Sequence, residues 1–370
     1  MLTRRRFGSR LAFLPAAASF TEAAFAQRAA VAGPFPPDTV WLNANENPDG
    51  PPEESIQAMS AALAQAGRYC FQELISLRAA ISRSESLEPQ QIVVGAGSSE
   101  VLIAATLAFT SADRPLVTSS PTFELPTTVT EAVGREAVRV PLTEDLRTDV
   151  KKLVEEAARV RGGMIYVCNP NNPTSTINTK AEIAWLIENL PAGAVAVIDE
   201  AYSHFSESAE MASAVAQITT GRDVVITRTF SKIYGMAGMR VGYACARPEL
   251  ISRMNAYRNN VISVVSARGA LAAIENSARI LTDRRRRYLT LRKELCEWLR
   301  EHGITYVEPH ANFVMIDVRR DVREVGRELL ARGVAAGRPF PPLTNMLRVS
   351  LGAPADMDKF RSALQEVLSL

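Results

Sequence analysis

Chemistry-bearing residues follow four apolar runs in this chain. After Val224-Val225-Ile226 come Thr229-Phe230-Ser231-Lys232 and then Gly235-Met236-Ala237-Gly238-Met239-Arg240. A lysine head is rarely buried without a partner. A Lys232 held covalently as a Schiff base to a carbonyl cofactor would carry no free ammonium, whereas for a lone Ser-Lys pair a surface lysine just past a strand end is the commoner reading, and the rest of the sequence has to decide. Asp199 directly follows Val195-Ala196-Val197-Ile198, and a carboxylate buried there needs a cation, such as a protonated pyridine nitrogen. Gly95-Ala96-Gly97-Ser98-Ser99-Glu100 opens from Ile92-Val93-Val94; such a turn before a helix can hold a phosphate on its N–H groups, or can be only a tight turn. The fourth group is the amide cluster Asn169-Pro170-Asn171-Asn172-Pro173-Thr174, after Met164-Ile165-Tyr166-Val167-Cys168.

The elements that must position these groups alternate. Strands are expected at 91–94, 116–118, 137–140, 164–168, 194–198, 224–227 and 241–245, with helices at 101–110, 123–133, 150–160 and 181–190 between most of them. Continuous apolar strands separated by amphipathic helices imply an α/β fold, a mostly parallel sheet covered on both faces. Its chemistry then lies at the carboxyl ends of the strands. Helices are also expected at 53–66 and 74–82, before the sheet, and at 279–301 after it; 313–318, 322–332, 347–351 and 357–368 make a smaller α+β unit. The division expected is a leader over 1–26, an arm and the first part of the small domain over 27–68, the large domain over 69–265 and the small domain over 266–370.

Forty-two basic against 40 acidic residues, interleaved, give no nucleic-acid surface. The exception, Arg284-Arg285-Arg286-Arg287, reads as the solvated face of a long charged helix. Cys70, Cys168, Cys245 and Cys296 lie far apart, without metal-ligand spacing, so no metal is expected. The first 26 residues differ in kind. Arg4-Arg5-Arg6-Phe7, a short apolar stretch over 11–20 and Ala24-Phe25-Ala26 resemble a twin-arginine export signal with a cleavage site, leading to the periplasm; a disordered basic tail on a cytoplasmic protein is the alternative. The stretch is too short for a stable membrane anchor.

From about residue 40 onward the chain resembles the fold-type I pyridoxal-phosphate aminotransferases, and among them the histidinol-phosphate aminotransferases. The resemblance rests on an ordered set of segments: Leu42-Asn43-Ala44-Asn45-Glu46-Asn47-Pro48, Gly97-Ser98-Ser99-Glu100, Pro121-Thr122-Phe123, Asn171-Asn172-Pro173-Thr174, Asp199-Glu200-Ala201-Tyr202, Thr229-Phe230-Ser231-Lys232, Ala237-Gly238-Met239-Arg240 and Leu347-Arg348-Val349-Ser350-Leu351-Gly352. It implies a large domain with a seven-stranded sheet, a smaller α+β domain and pyridoxal 5′-phosphate as cofactor. By position, Lys232 would bind the cofactor covalently and carry the substrate's proton, and Asp199 would keep the ring nitrogen protonated. Asn172 and Tyr202 would reach the ring hydroxyl, and Phe123 would stack on the ring. Gly97, Ser98, Ser99, Thr229, Ser231 and Arg240 would hold the phosphate. Tyr69 would reach the phosphate of a neighbouring subunit, which implies a homodimer. Arg348 would be the fork for a substrate carboxylate, with Asn45, Asn312 and Arg338 also on the substrate side.

The implied reaction transfers an amino group between an amino acid, or a histidinol-phosphate-like amine, and a 2-oxo acid. Decarboxylation or C–S lysis on the same fold is the alternative, and a cofactor-binding protein without turnover is the reading from another class. Two departures bear on the substrate: Arg68-Tyr69-Cys70 stands where the family commonly has Arg-Tyr-Pro, and Ser175 where it has glycine. Export would suit an enzyme that loads its cofactor before leaving the cytoplasm, and would separate it from cytoplasmic histidine synthesis.

Overall fold

The computed structural model describes residues 36–69, 71–259 and 261–369, so the leader expected over 1–26 lies outside the described residues. In chain order the strands are β1 (Val40–Trp41), β2 (Ile92–Gly95), β3 (Leu116–Ser120), β4 (Ala137–Pro141), β5 (Met164–Cys168), β6 (Val195–Asp199), β7 (Val224–Thr229), β8 (Gly242–Ala246), β9 (Phe313–Asp317), β10 (Val334–Ala335) and β11 (Met346–Ser350). The α-helices are α1 (Glu53–Ala62), α2 (Phe71–Glu85), α3 (Ser98–Phe109), α4 (Leu125–Ala132), α5 (Val150–Val160), α6 (Lys180–Glu188), α7 (Pro248–Asn255), α8 (Val264–Glu275), α9 (Ser277–Glu301), α10 (Val322–Ala331) and α11 (Pro354–Leu368).

The main sheet has seven strands in the order β2-β8-β7-β6-β5-β3-β4. Neighbours run parallel except β8, which is antiparallel to both β2 and β7. Every residue of β5, β6, β7 and β8 is buried, as a sheet covered on both faces demands. Local signals set the covering helices. Asp149 caps α5 by accepting from the Lys152 N–H, and Thr179 with Glu182 forms a capping box on α6, contacts worth about 1 kcal/mol each. Beyond the main sheet, β9 pairs antiparallel with β11, and the two-residue β1 pairs parallel with β10. One contiguous apolar core runs from Leu42 to Val367 and joins these sheets.

Two expectations change in ways that matter to function. The helix after the glycine-rich turn starts at Ser98 rather than 101, because Gly97 at φ +80° reverses the chain in one residue. Ser98 and Ser99 therefore belong to the first helical turn. The arginine cluster of α9 is a solvated face only in part: Arg286 and Arg287 are exposed, but Arg284 and Arg285 are partly buried. Arg284 donates to the carbonyls of Ile233 (2.8 Å) and Gly50 (2.7 Å), Arg285 to that of His204 (2.8 Å), and Arg287 pairs with Asp49 at 2.6 Å. A guanidinium has five fixed donors and suits carbonyls at the ends of loops, so these side chains tie α9 to the arm before α1 and to the loop that carries Lys232. Among the described residues no helix is long and apolar enough to cross a membrane.

Candidate active site

The carboxyl ends of β5, β6 and β7 bring the sequence candidates together. Asp199 ends β6 at 2% exposure and lies in register with Cys168 of β5 and Thr227 of β7. Its carboxylate accepts from the Thr227 hydroxyl (2.9 Å) and the Tyr166 hydroxyl (3.0 Å). Both donors are neutral. Burial consequently pushes the Asp199 pKa up to about 6, with those two hydrogen bonds working against the rise. Neither Tyr166 nor Thr227 is visible as a candidate in the sequence, since both sit within apolar strands. Only the register of β5, β6 and β7 brings them to Asp199.

Lys232 is partly buried, and its Nζ donates to the carbonyls of Ala44 (3.2 Å) and Asn45 (3.1 Å), 5.5 Å from the centroid of the Tyr202 ring. Burial first, then the positive charge of Arg348, lowers its pKa to about 8. Asn45, buried at φ +53°, donates from Nδ2 to the Tyr202 hydroxyl (3.2 Å) and accepts from the Ser350 hydroxyl (3.0 Å). Asn312 donates to the Asn45 carbonyl at 3.1 Å. The arm before α1 is thus clamped onto the lysine by residues of both sheets.

Arg348, in the middle of β11, is 2% exposed. It donates to Asn172 Oδ1 (2.5 Å) and to the Asn43 carbonyl (2.7 Å), with its Cζ 5.5 Å from the Phe313 ring centroid and 4.9 Å from that of Phe340. Burial lowers its pKa to about 10. Arg338 forms an ion pair with Glu124 and stacks over Phe340 at 4.4 Å, so it joins the group through that ring.

A third group lies where α3 meets β7 and β8. Arg240, left-handed at φ +53°, points its guanidinium at the hydroxyls of Ser231 (3.3 Å) and Ser99 (3.5 Å). The Thr229 hydroxyl accepts from the Ser231 N–H at 3.0 Å. Two glycines permit the close packing: a Cβ on Gly97 would meet Arg240 Nη2 at 2.3 Å, and one on Gly242 would meet the Ser98 nitrogen at 2.1 Å. Phe123 is partly buried and packs against the core just before α4. Tyr69 is not brought to the site: it is 80% exposed and stacks on Phe71.

The cofactor implied by the sequence resemblance fits these residues. Among the described residues Asp199 forms no ion pair, and it would gain one with a protonated ring nitrogen. The first turn of α3, which Gly97 leaves without a side-chain cap, faces Arg240 and forms a cationic cup suited to a phosphate. No cluster of potential metal ligands occurs among the described residues.

Known proteins resemble the chain along most of its length. The family described as aminotransferase class I and II matches residues 37–366. The histidinol-phosphate aminotransferase of Symbiobacterium thermophilum is 36% identical over 340 residues, covering 90% of this chain and 91% of its own. That of Moorella thermoacetica is 33% identical over 340 residues, 90% of this chain and 86% of its own. In structure, the Sinorhizobium meliloti histidinol-phosphate aminotransferase in complex with pyridoxal 5′-phosphate aligns with a TM-score of 0.85 over 97% of this chain and 99% of its own; at 24% identity, that likeness is one of fold. The chain therefore belongs to the class I and II aminotransferases and is a pyridoxal 5′-phosphate-dependent enzyme that transfers amino groups.

Proposed function

We propose that this aminotransferase exchanges the amino group of an α-amino acid, or of an amine related to histidinol phosphate, with a 2-oxo acid, using Lys232 as the proton carrier and Arg348 as the carboxylate fork. One observation carries the reading. Lys232 and Arg348 bracket the same short segment, with the lysine on the carbonyls of Ala44 and Asn45 and the arginine on that of Asn43. A base and a carboxylate anchor so placed would hold an α-amino acid with its α-hydrogen toward the lysine.

The bound cofactor supplies an electron sink for the substrate's α-carbon and a store for its amino group. The remaining work falls to the chain. Asp199 balances a positive ring nitrogen; Asn172 and Tyr202 address the ring hydroxyl, with the Asn172 amide oxygen already engaged by Arg348. Phe123 covers the ring. Gly97, Ser98, Ser99, Thr229, Ser231 and Arg240 hold the phosphate. Asn45 and Asn312 fix the arm beneath the substrate. The test is to add a panel of amines to the cofactor-loaded protein, histidinol phosphate and α-amino acids among them, and follow the cofactor's absorbance. Stoichiometric conversion to pyridoxamine phosphate is expected for the true donors; release of carbon dioxide, ammonia or thiol instead overturns the reading.

Two features extend it. Ile56, Leu63, Tyr69, Phe71 and Ile75 are exposed on and between α1 and α2, and burying such side chains favours association by roughly 25 cal/mol per Å². This supports a homodimer in which Tyr69 serves the neighbouring subunit's site; a monomer in sedimentation at micromolar concentration overturns it. The Arg4-Arg5 pair and the Ala24-Phe25-Ala26 sequence support twin-arginine export to the periplasm. Arg4→Lys/Arg5→Lys should then retain the protein in the cytoplasm, and unchanged export overturns the assignment.

A further inference from the structure

The mouth of the site carries a charge that the assignments above leave unused. Glu124, immediately after Phe123, stands at the N-cap of α4 and supplies no capping hydrogen bond there. Its carboxylate instead pairs with Arg338, a residue 214 positions away in sequence. Arg338 lies over the Phe340 ring, 4.4 Å from its centroid, and Arg348 lies 4.9 Å from the same centroid. The four side chains form a row of Arg348, Phe340, Arg338 and Glu124, leading from the buried carboxylate fork to the half-exposed rim. Arg348 feels both rim charges, Arg338 lowering its pKa and Glu124 raising it.

Two guanidinium groups spaced by one ring would by themselves favour a substrate with two anionic groups, one on each fork. Glu124 alters that preference. It occupies the Arg338 fork, so a distal carboxylate or phosphate must displace it or meet its repulsion. A neutral or apolar distal group meets only the face made by Phe340 and the already paired Arg338. Stacking on Phe340 limits how far Arg338 can move to escape Glu124.

We propose that Glu124 is a specificity-determining residue that selects against a distal anion, and so decides between the two donors of the proposed reaction: an α-amino acid with one carboxylate, held by Arg348, and an uncharged far end is favoured over an amine with a distal phosphate. The proposal rests on the reading of Arg348 as the carboxylate fork. Because the pair is half exposed, solvent screening limits the effect to about fivefold, read as a ratio between two acids.

The test uses 2-oxoglutarate and 2-oxopentanoate, which have the same chain length and differ in the distal carboxylate. In the holoenzyme, Glu124→Gln should raise kcat/KM for 2-oxoglutarate relative to 2-oxopentanoate about fivefold, through KM and not kcat. Glu124→Gln/Arg338→Gln should bring the ratio back down, Glu124→Asp should stay near the wild-type ratio, and high salt should shrink the Glu124→Gln effect. Calorimetric titration with glutarate and pentanoate reads the same preference without turnover. If the wild type uses neither 2-oxo acid yet Glu124→Gln strengthens glutarate binding over pentanoate, the proposed reaction fails and the role of Glu124 stands. An unchanged ratio in both measurements, or no binding of either acid, overturns the proposal.

Discussion

Asp199 and Glu200 are adjacent, equally buried carboxylates with opposite surroundings. Glu200 meets Arg228 at 2.8 Å, and also accepts from the Ser213 hydroxyl (2.8 Å) and the Ala214 N–H (2.7 Å). Arg228 in turn meets Glu85 at 2.7 Å, and Glu85 accepts from the Tyr243 hydroxyl at 2.6 Å. Asp199 is met by neutral donors, the hydroxyls of Tyr166 and Thr227 and the backbone of Ala201. The two buried arginines differ in the same sense. Burial pulls the Arg228 pKa down, but Glu200, Tyr243 and Glu85 together hold it well above the usual value; for Arg348 burial prevails and the pKa falls to about 10. A buried charge met by opposite charge within the protein, as Glu200 is by Arg228, marks scaffold, and a buried carboxylate met by neutral donors, as Asp199 is, marks the site.

The sharpest way to break this contrast is to remove the group on which the site converges. Lys232→Ala should lower turnover about a thousandfold or more while the phosphate cup still retains the cofactor, measured by steady-state kinetics and by equilibrium dialysis. Full activity in that variant would end the assignment.

The adjacent carboxylates give the next effect. Asp199→Asn should lower kcat about a hundredfold, since the ring nitrogen loses its counter-charge. The same change should stabilise the cofactor-free protein near neutral pH. The sign follows from linkage: Asp199 has its pKa raised from 3.8 to about 6, so its contribution to stability is present below pH 4 and is lost as pH rises through 6. Removing the charge recovers up to about 3 kcal/mol, seen as a higher Tm at pH 7. His204 acts in the opposite sense, because burial lowers its pKa to about 3 and its contribution is lost as pH falls below 6.5, so the wild type and Asp199→Asn must be compared at each pH. Glu200→Gln should do the reverse of Asp199→Asn. It unbalances Arg228 and should cost about 3 kcal/mol, while the folded fraction keeps kcat within about threefold. Equal kcat losses for Asp199→Asn and Glu200→Gln would erase the distinction between scaffold and site.

For the arginines, Arg348→Lys should raise KM for carboxylate substrates about thirtyfold, because an ammonium cannot donate two parallel bonds. A KM unchanged for carboxylate substrates would move the fork elsewhere.

The scaffold and the site were unequally legible in the sequence. Charges that directly follow buried strands, Asp199 and Lys232 among them, stand out because an apolar run ends on a group that resists burial. The strands themselves are legible for a related reason: both faces of β5, β6 and β7 are covered, so each opens on an unbroken apolar run, Met164 to Cys168, Val195 to Ile198 and Val224 to Ile226. What supports the charges is hidden. Thr227 and Tyr166 reach Asp199 through strand register, Glu124 finds Arg338 across 214 residues, and Arg228 finds Glu85 across 143. The arginine run in α9 misleads because a block of like charge is usually solvated. Arg284 and Arg285 instead find backbone carbonyls at Gly50, His204 and Ile233, which composition cannot reveal.

The smallest effect tests the lowered pKa of Lys232 itself. A solvated lysine near pH 7 is almost wholly protonated, and its neutral fraction grows tenfold per pH unit until about 10.5. With its pKa lowered to about 8, Lys232 should be about one-tenth neutral at pH 7 and half neutral at pH 8, so capture of pyridoxal 5′-phosphate by the cofactor-free protein should rise about fivefold over that unit and level off above pH 9. Stopped-flow absorbance measures the rate. Two of the neighbouring charges give the direction of change in variants: Arg348 lowers the lysine's pKa and Glu46 raises it. Arg348→Gln should therefore move the midpoint up, and Glu46→Gln should move it down. A rise that continues tenfold per unit through pH 9 in the wild type would mean that Lys232 is solvated and its charge balanced by water, which would place it with the surface lysines.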